Sequence, residues 1–396
     1  MKTNALNHKS LMFGIFVIIQ MIAVTSQGEP PSTESASINA LPVLLKELDN
    51  PDEKKKNIAI DGLQKLEPQS ESDVQLLMLT ATKAQGETRK AALHALDSAS
   101  DKQIHLKKNY LLLLNTNDKE LQRVGMNVLA KMHAREAAPK ILDLMKKVPK
   151  RRLEKFIWMD EMKTSTPFLY STAEALVKLD YVEAADEILS RDEIMANSNY
   201  GGSLVAKFGA KVMPKLLENY GKGGKSRDGA LAAITHMKDE AAIPQLLPLT
   251  QNKDEELRKS ALSALIFMPN IPEAYKDGII RTLTPMMKDS NSSIRSRAYT
   301  GLIQLDNKKY LLPAMQALKK DSDVRLDILY ALYRNPNPDA VPYLEEFIKY
   351  DETQRPNASY LRSTAAQAIF KAIGKRVPYR GLEKDQKKYK DPYIGQ

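Results

Sequence analysis

Asp289-Ser290-Asn291-Ser292-Ser293-Ile294-Arg295-Ser296-Arg297-Ala298-Tyr299-Thr300-Gly301-Leu302 is the stretch on which the fold turns. It opens with an Asp and an Asn, whose short polar side chains bond backbone N–H groups at the start of a helix. An arginine follows, then an alanine three positions on and a leucine seven positions on. Positions three and seven along a helix share one face. Such a helix offers a small residue where a neighbour must come close and an aliphatic one where space must be filled, which is the pattern of a stacking face.

The same spacing recurs along the chain: Lys56, Ala59, Leu63; Arg89, Ala92, Leu96; Arg227, Ala230, Ile234; Arg258, Ala261, Leu265; and Arg362, Ala365, Ile369. Gly125 replaces the alanine between Gln122 and Leu129, and Ile328 does so between Arg325 and Leu332. The anchors 56, 89, 122, 227, 258, 295, 325 and 362 are 33, 33, 105, 31, 37, 30 and 37 residues apart, a period that fits two short helices per unit. The long gap holds a unit around Tyr170, Ala173 and Val177 and a degenerate one near Ser203, Ala206 and Ala210. The turn signature returns as Asn252, Asp254, Leu257, Arg258 and as Asp321, Asp323, Val324, Arg325. First helices carry a proline near their start, in Ile243-Pro244, Leu312-Pro313 and Val341-Pro342, where a missing N–H costs nothing. No segment sustains the alternation of a strand, so the class is all-α.

Proline in the first helix, an Asp/Asn turn leading to an aliphatic-Arg pair, and Ala and Leu in the second helix together resemble the HEAT repeat. The resemblance is strongest to the short bacterial HEAT-like form also found in phycobilisome lyases. It covers roughly residues 38 to 374 and implies a right-handed α-solenoid, a superhelix of roughly nine to ten helical hairpins. The expected organisation is a signal peptide over 1–26, a leader over 27–37, the solenoid over 38–374 with an insertion at about 146–166, and a basic Tyr/Lys-rich tail over 375–396. Such an architecture is specific for fold and nearly silent on function.

At the N-terminus, Lys2 and Lys9 precede an apolar run from Leu11 to Val24, with small residues at Thr25 and Ser26. That is the layout of a secretory signal, with an uncleaved anchor as the alternative. Export to the periplasm or the exterior is the resulting expectation, with no transmembrane span after cleavage. The chain has no cysteine, which removes disulfides, thiolate metal sites and cysteine nucleophiles.

The residues offer little chemistry. Gly221-Lys222-Gly223-Gly224-Lys225-Ser226 ends like a phosphate-binding loop, yet Asn219 stands where the first glycine belongs, and a helical pattern precedes it. His94, His105, His133 and His236 are scattered, with no ligand-type pairing. Asn291-Ser292-Ser293 and Asn357-Ala358-Ser359 match a glycosylation triplet that arises often by chance. No catalytic constellation emerges, and no metal or cofactor is expected.

Departures from the repeat are where a binding role is expected. The insertion carries Lys146, Lys147, Lys150, Arg151, Arg152 and Lys155, followed by Trp158, the chain's one tryptophan. Trp158 fits either a binding hot spot or a cap on the solenoid core. Eleven of the 16 tyrosines lie at or beyond Tyr275, enriching the last repeats in a residue suited to recognition. By resemblance, second helices line the concave face, which nominates Arg297, Thr300, Gln304, Tyr330 and Arg334. Segments 146–155 and 371–396 each carry net +5, together the whole formal +10, so Lys150, Arg151, Arg152, Lys387 and Lys388 join the partner-binding candidates. The leading expectation is a non-catalytic interaction scaffold with an acidic protein partner. A binder of anionic lipid or polysaccharide on the envelope surface is the alternative class, and a lyase-like or cofactor-attachment enzyme a third. Nucleic acid suits the charge but not export, so no nucleic-acid partner is expected.

Overall fold

The computed structural model describes residues 40–150, 162–195, 198–355 and 359–381, all of them in helices, turns or connecting segments with no strand. The expected signal and leader, Arg151, Arg152, Trp158, Lys387 and Lys388 lie outside the described residues. Two compact units emerge among those described: residues 40–67 with 79–95, and residues 68–78 with 96–381.

In the first unit, α1 (Ala40–Glu47) packs on α2 (Glu53–Gln64). Asp52 starts α2 by accepting the Lys54 N–H at 2.9 Å. Ala59 and Leu63, the small and the large member of the sequence pattern, are both buried. The helices α3 (Glu71–Lys83) and α4 (Gly86–Asp97) contribute residues to each unit in turn, and Arg89 of α4 donates to the Ala81 carbonyl of α3.

The second unit is built of helical pairs: α5 (Lys107–Leu113) with α6 (Lys119–Lys131), α7 (Ala138–Lys147) with α8 (Met162–Lys178), and α12 (Met213–Gly221) with α13 (Gly224–Thr235). Then come α14 (Ile243–Leu249) with α15 (Glu255–Ile266), α16 (Glu273–Met286) with α17 (Ser292–Leu305), α18 (Asn307–Lys320) with α19 (Arg325–Arg334), and α20 (Val341–Gln354) with α21 (Tyr360–Ile373). Between α8 and α12 lie the short α9 (Ala185–Leu189) and α10 (Asp192–Met195), then α11 (Ser198–Ala206). Second helices touch in succession, α11 on α13 and then α13, α15, α17, α19 and α21. This is the stacking of an α-solenoid of HEAT-like repeats.

The patterned positions of the regular units are buried, Gly125 and Leu129, Ala230 and Ile234, Ala261 and Leu265, Ala298 and Leu302, Ile328 and Leu332, Ala365 and Ile369, and on α8 Ala173 is buried while Val177 is half-buried. Each fully buried leucine or isoleucine contributes about 1.5 to 3 kcal/mol. Closeness is enforced in some places by glycine. A Cβ on Gly202 of α11 would lie 2.7 Å from the Cβ of Ala232 on α13, and one on Gly301 of α17 would lie 2.9 Å from Cγ1 of Ile266. The degenerate unit thus makes its close approach through Gly202, and Ala210 falls beyond the end of α11.

The anchor at the head of several second helices turns out to close the preceding turn. Arg258 donates to the carbonyls of Asn252 and Lys253 at 2.8 and 2.9 Å, Arg295 to those of Asp289 and Ser290 at 2.9 Å, and Arg325 to that of Leu318 at 2.7 Å. Gln122 does the same to Thr116 at 2.6 Å. Carbonyls at a helix end have no intrahelical partner, and a guanidinium carries five donors in a rigid fork. Two anchors also reach the next unit: Arg227 pairs with Asp254 at 2.6 Å and Arg295 with Asp321 at 2.7 Å. At the intervening step Asn291 stands where those units have an aspartate. Its amide donates to Glu255 at 2.6 Å instead, so the ladder lapses there.

The turn residues cap as their chemistry dictates. Asp254 accepts from Leu257 N at 3.0 Å, and Asn291 from Ser293 N at 2.9 Å. Pro244 and Pro342 sit in the first turns of α14 and α20, as expected. Pro313 does not: Asp306 caps α18 by accepting the Lys309 N–H at 3.0 Å, which starts the helix earlier and leaves Pro313 in its interior. Helix α7 reaches through Lys147 and α8 begins at Met162, so both ends of the expected 146–166 insertion are helical.

At the C-terminal end, Gly374 stops α21 in the left-handed region at φ 67°. The chain then folds back, with Tyr379 buried in the core of the last units. Arg362, the anchor of α21, is fully buried against Asp351 at 3.0 Å and donates to the Arg380 carbonyl at 2.9 Å. The Arg380 N–H in turn bonds Glu352 at 2.7 Å.

Three outcomes follow from this packing. Ala298→Leu or Ala261→Leu overpacks the stacking face and lowers stability by about 1 to 3 kcal/mol, whereas Lys90→Ala, which breaks an exposed pair, changes it by under about 1 kcal/mol; chemical denaturation ranks them, and equal midpoints would misplace the inward face. Asp351→Ala strands a buried guanidinium and costs about 3 to 5 kcal/mol by the same measurement. The Arg295 hydrogen bond holds the Asp321 carboxyl below its ordinary value. Its contribution is therefore complete above the unfolded carboxylate value of about 3.9 and is lost as pH falls through the lowered one. Stability of the parent and of Asp321→Asn, followed against pH, should differ by a constant amount near neutrality and converge in acid; a gap that persists in acid would assign the effect to something other than this charge.

Candidate functional site

The second helices α15, α17, α19 and α21 carry an exposed polar and aromatic strip beside their buried stacking face. Five of the residues nominated from sequence lie on two of them: Arg297, Thr300 and Gln304 on α17, and Tyr330 and Arg334 on α19. Arg297 and Thr300 line one open cavity of about 220 Å³ that runs along α17, together with Phe267, Ser296, Asp323 and Asp327. Its walls come from three consecutive second helices, the turns at their ends included, so the surface dips over α17.

Arg297 sits in the middle of this trough. Its Nε donates to Ser263 Oγ of α15 at 2.7 Å, and its Nη1 to the Ser293 carbonyl at 3.0 Å. Burial pulls the guanidinium below its ordinary value, while the charges of Asp327 and Glu256 pull it back. Arginine nevertheless stays protonated in proteins. Arg334 reaches across α17 and lies over the ring of Phe267, 5.9 Å from its centroid. Side chains from units two steps apart in the stack therefore meet above α17. Gln304, between them on α17, is exposed.

Farther along, the hydroxyls of Tyr330 on α19 and Tyr360 on α21 hydrogen-bond each other. That bond, with a smaller contribution from burial, raises the Tyr330 phenol. Half of Tyr360 remains exposed. Lys371 lies over Tyr333, 5.5 Å from the ring centroid. Aromatic rings and guanidinium groups that are held in place, yet reachable, cost little entropy on binding.

Lys150 is placed elsewhere. It pairs with Glu187 at 3.3 Å and donates to Ser190 Oγ at 2.7 Å. Beside it the fully buried Arg191 pairs with Glu187 at 2.6 Å and bonds the carbonyls of Met145 and Val148, both at 2.7 Å, closing the C-terminal end of α7. Lys147 pairs with Asp143 at 2.8 Å. These described cations of the first basic segment are thus engaged within the fold.

The remaining motifs resolve structurally. Gly223 caps α13 at φ 73°, and Lys222 and Lys225 pair with Glu218 and Asp192, so the glycine-rich run is the turn between α12 and α13. Asn291 spends its side chain on capping and on Glu255. Burial lowers the His236 imidazole. No group of three or more metal-ligating side chains occurs among the described residues, and none of their helices is long and apolar enough to cross a membrane.

Phe267, Asp323 and Asp327 were not among the residues nominated from sequence. A signal existed for two of them. Phe267 stands nine places after its anchor Arg258, the register of Gln304 and Arg334, and Asp327 stands two places after Arg325, the register of Arg297.

No curated protein matches this sequence. Among solved structures, the crystal structure of an engineered protein is similar, with 18% identity and a TM-score of 0.33 over 86% of this chain and 100% of that one. A family model described as HEAT repeats matches residues 280–369, which span the end of α16 through most of α21 and so include α17 and α19 at the centre of the strip. The repeated anchor, small-residue and aliphatic positions, the capped turns and the paired helices are thus those of HEAT-like repeats, and over residues 280–369 the chain matches the HEAT repeat family.

Proposed function

We propose that this chain is an exported, non-catalytic interaction scaffold, working in the periplasm or outside the cell, that docks a protein on the strip formed by α15, α17, α19 and α21. The observation that carries the reading is the bridge of Arg334 over Phe267 across α17, continued by the Tyr330–Tyr360 pair. Rigid aromatic and arginine side chains around a recess are the composition of binding hot spots. Repeat arrays of this kind bury their apolar surface between units and leave such strips for partners. Export rests on the apolar run from Leu11 to Val24 behind Lys2 and Lys9. An acidic partner rests on the basic segments, chiefly Arg151, Arg152, Lys387 and Lys388, because Lys147 and Lys150 already pair internally.

Site-specific photo-crosslinking tests the reading. A benzophenone side chain placed at Gln304 in the exporting cell should yield a discrete protein adduct in the envelope or secreted fraction. The same group at Leu312, an exposed position on the first helix α18, should not. Replacing Arg334 by Glu should abolish the Gln304 adduct. Identical adducts from both positions, or none from Gln304, would defeat the proposal.

A further inference from the structure

The trough along α17 has walls of three chemistries. Helix α15 and its end supply Ile266 and Phe267, α17 supplies the hydroxyls of Ser296 and Thr300, and α19 and its leading turn supply Asp323 and Asp327. Carboxylates outnumber cations on the lining. Its one guanidinium, Arg297, is committed to Ser263 and to the Ser293 carbonyl. Asp323 pairs with Arg295 only at 3.9 Å, and Asp327, exposed on the first turn of α19, acts on Arg297 through its charge without an ion-pair contact to a described cation.

Each class of guest meets this lining differently. A carboxylate would face two carboxylates of its own sign. An aliphatic side chain would strip water from both without replacing it, which is costly for a charged group. A long cationic side chain can lay its methylenes along Ile266 and Phe267 and carry its charge to the aspartates.

We infer that the trough receives a lysine or arginine side chain of the docked protein. This rests on the reading of the strip as a docking face and adds the chemistry of the group that enters it. The cationic head lies between Asp323 and Asp327, and the hydroxyls of Ser296 and Thr300 accept its remaining N–H donors. The partner therefore shows a basic residue to this recess, whatever charge it shows to the basic segments elsewhere on the chain.

Fluorescence anisotropy on the full chain tests this with two dye-labelled peptides of equal length, one alternating Lys and Ser, the other Glu and Ser. The lysine peptide should bind at low salt and weaken as salt rises. Asp327→Asn and Asp323→Asn should each weaken it about fivefold to tenfold. Both positions are exposed, so circular dichroism and melting of the variants should match the parent. The inference fails if the lysine peptide does not bind, if the glutamate peptide binds better, or if neither aspartate variant changes the affinity. A protein adduct from Gln304 alongside peptides that ignore the aspartates would leave the scaffold standing and remove the cation site. Aspartate-dependent binding of the lysine peptide without any adduct would do the reverse.

Discussion

The close approach of one second helix to the next is the constraint on which the rest of the second unit depends. Where Gly202 faces Ala232, or Gly301 faces Ile266, an added methyl group would sit at 2.7 or 2.9 Å from its neighbour, well inside contact distance. Ala230, Ala261, Ala298 and Ala365, each three places after its anchor, are fully buried. Once the helices are this close, the aliphatic residue one turn farther on fills the remaining space. Stability then accumulates from each unit and its contact with the next. The side chains on the far side of each helix are released from packing, and that freedom lets α17 and α19 carry Arg297, Gln304, Tyr330 and Arg334.

Charge is used in two distinct ways. The anchor arginines, conspicuous in the sequence, spend their donors on turn carbonyls and on the next unit's aspartate. They hold the two helices of a unit at a fixed angle and are unavailable to a partner. Arg362 is the extreme case, buried with Asp351 and bonding the carbonyl of Arg380, so one ion pair both closes the last turn and pins the chain where it folds back. The arginines at other registers, Arg297 and Arg334, lie on the strip. What distinguishes the two sets is the position relative to the anchor, because a shift of two or nine residues rotates a side chain out of the turn and onto the face.

The lapse in the arginine ladder falls beside the trough. Asn291 cannot supply the charge that Asp254 and Asp321 supply, and its amide turns to Glu255. Its side-chain oxygen still caps α17. The unit therefore keeps its helix start while giving up one inter-unit ion pair, and the neighbouring Ser292, Ser293 and Ser296 form part of the recess instead.

By itself the sequence determined the helical class and, in the regular units, the register of the second helices and the residues that stack; in the degenerate unit the close approach falls on Gly202 and not on the register read from sequence. These are local or periodic properties: a cap needs only the next few N–H groups, and a face needs only spacing in one helix. It also determined that the anchor positions repeat, but not what they bond, since the carbonyls of a turn are invisible to residue identity. Tertiary structure decided the rest. Phe267 and Arg334 are far apart in sequence, and nothing in either repeat announces that they meet over α17, because that contact depends on the curvature of three helices together. Asp323 and Asp327 read as turn and helix-start residues until the neighbouring helices bring Arg297 and Phe267 beside them. Lys150 read as a free basic residue until the chain placed Glu187 and Ser190 against it, contacts some forty residues away that no local pattern encodes.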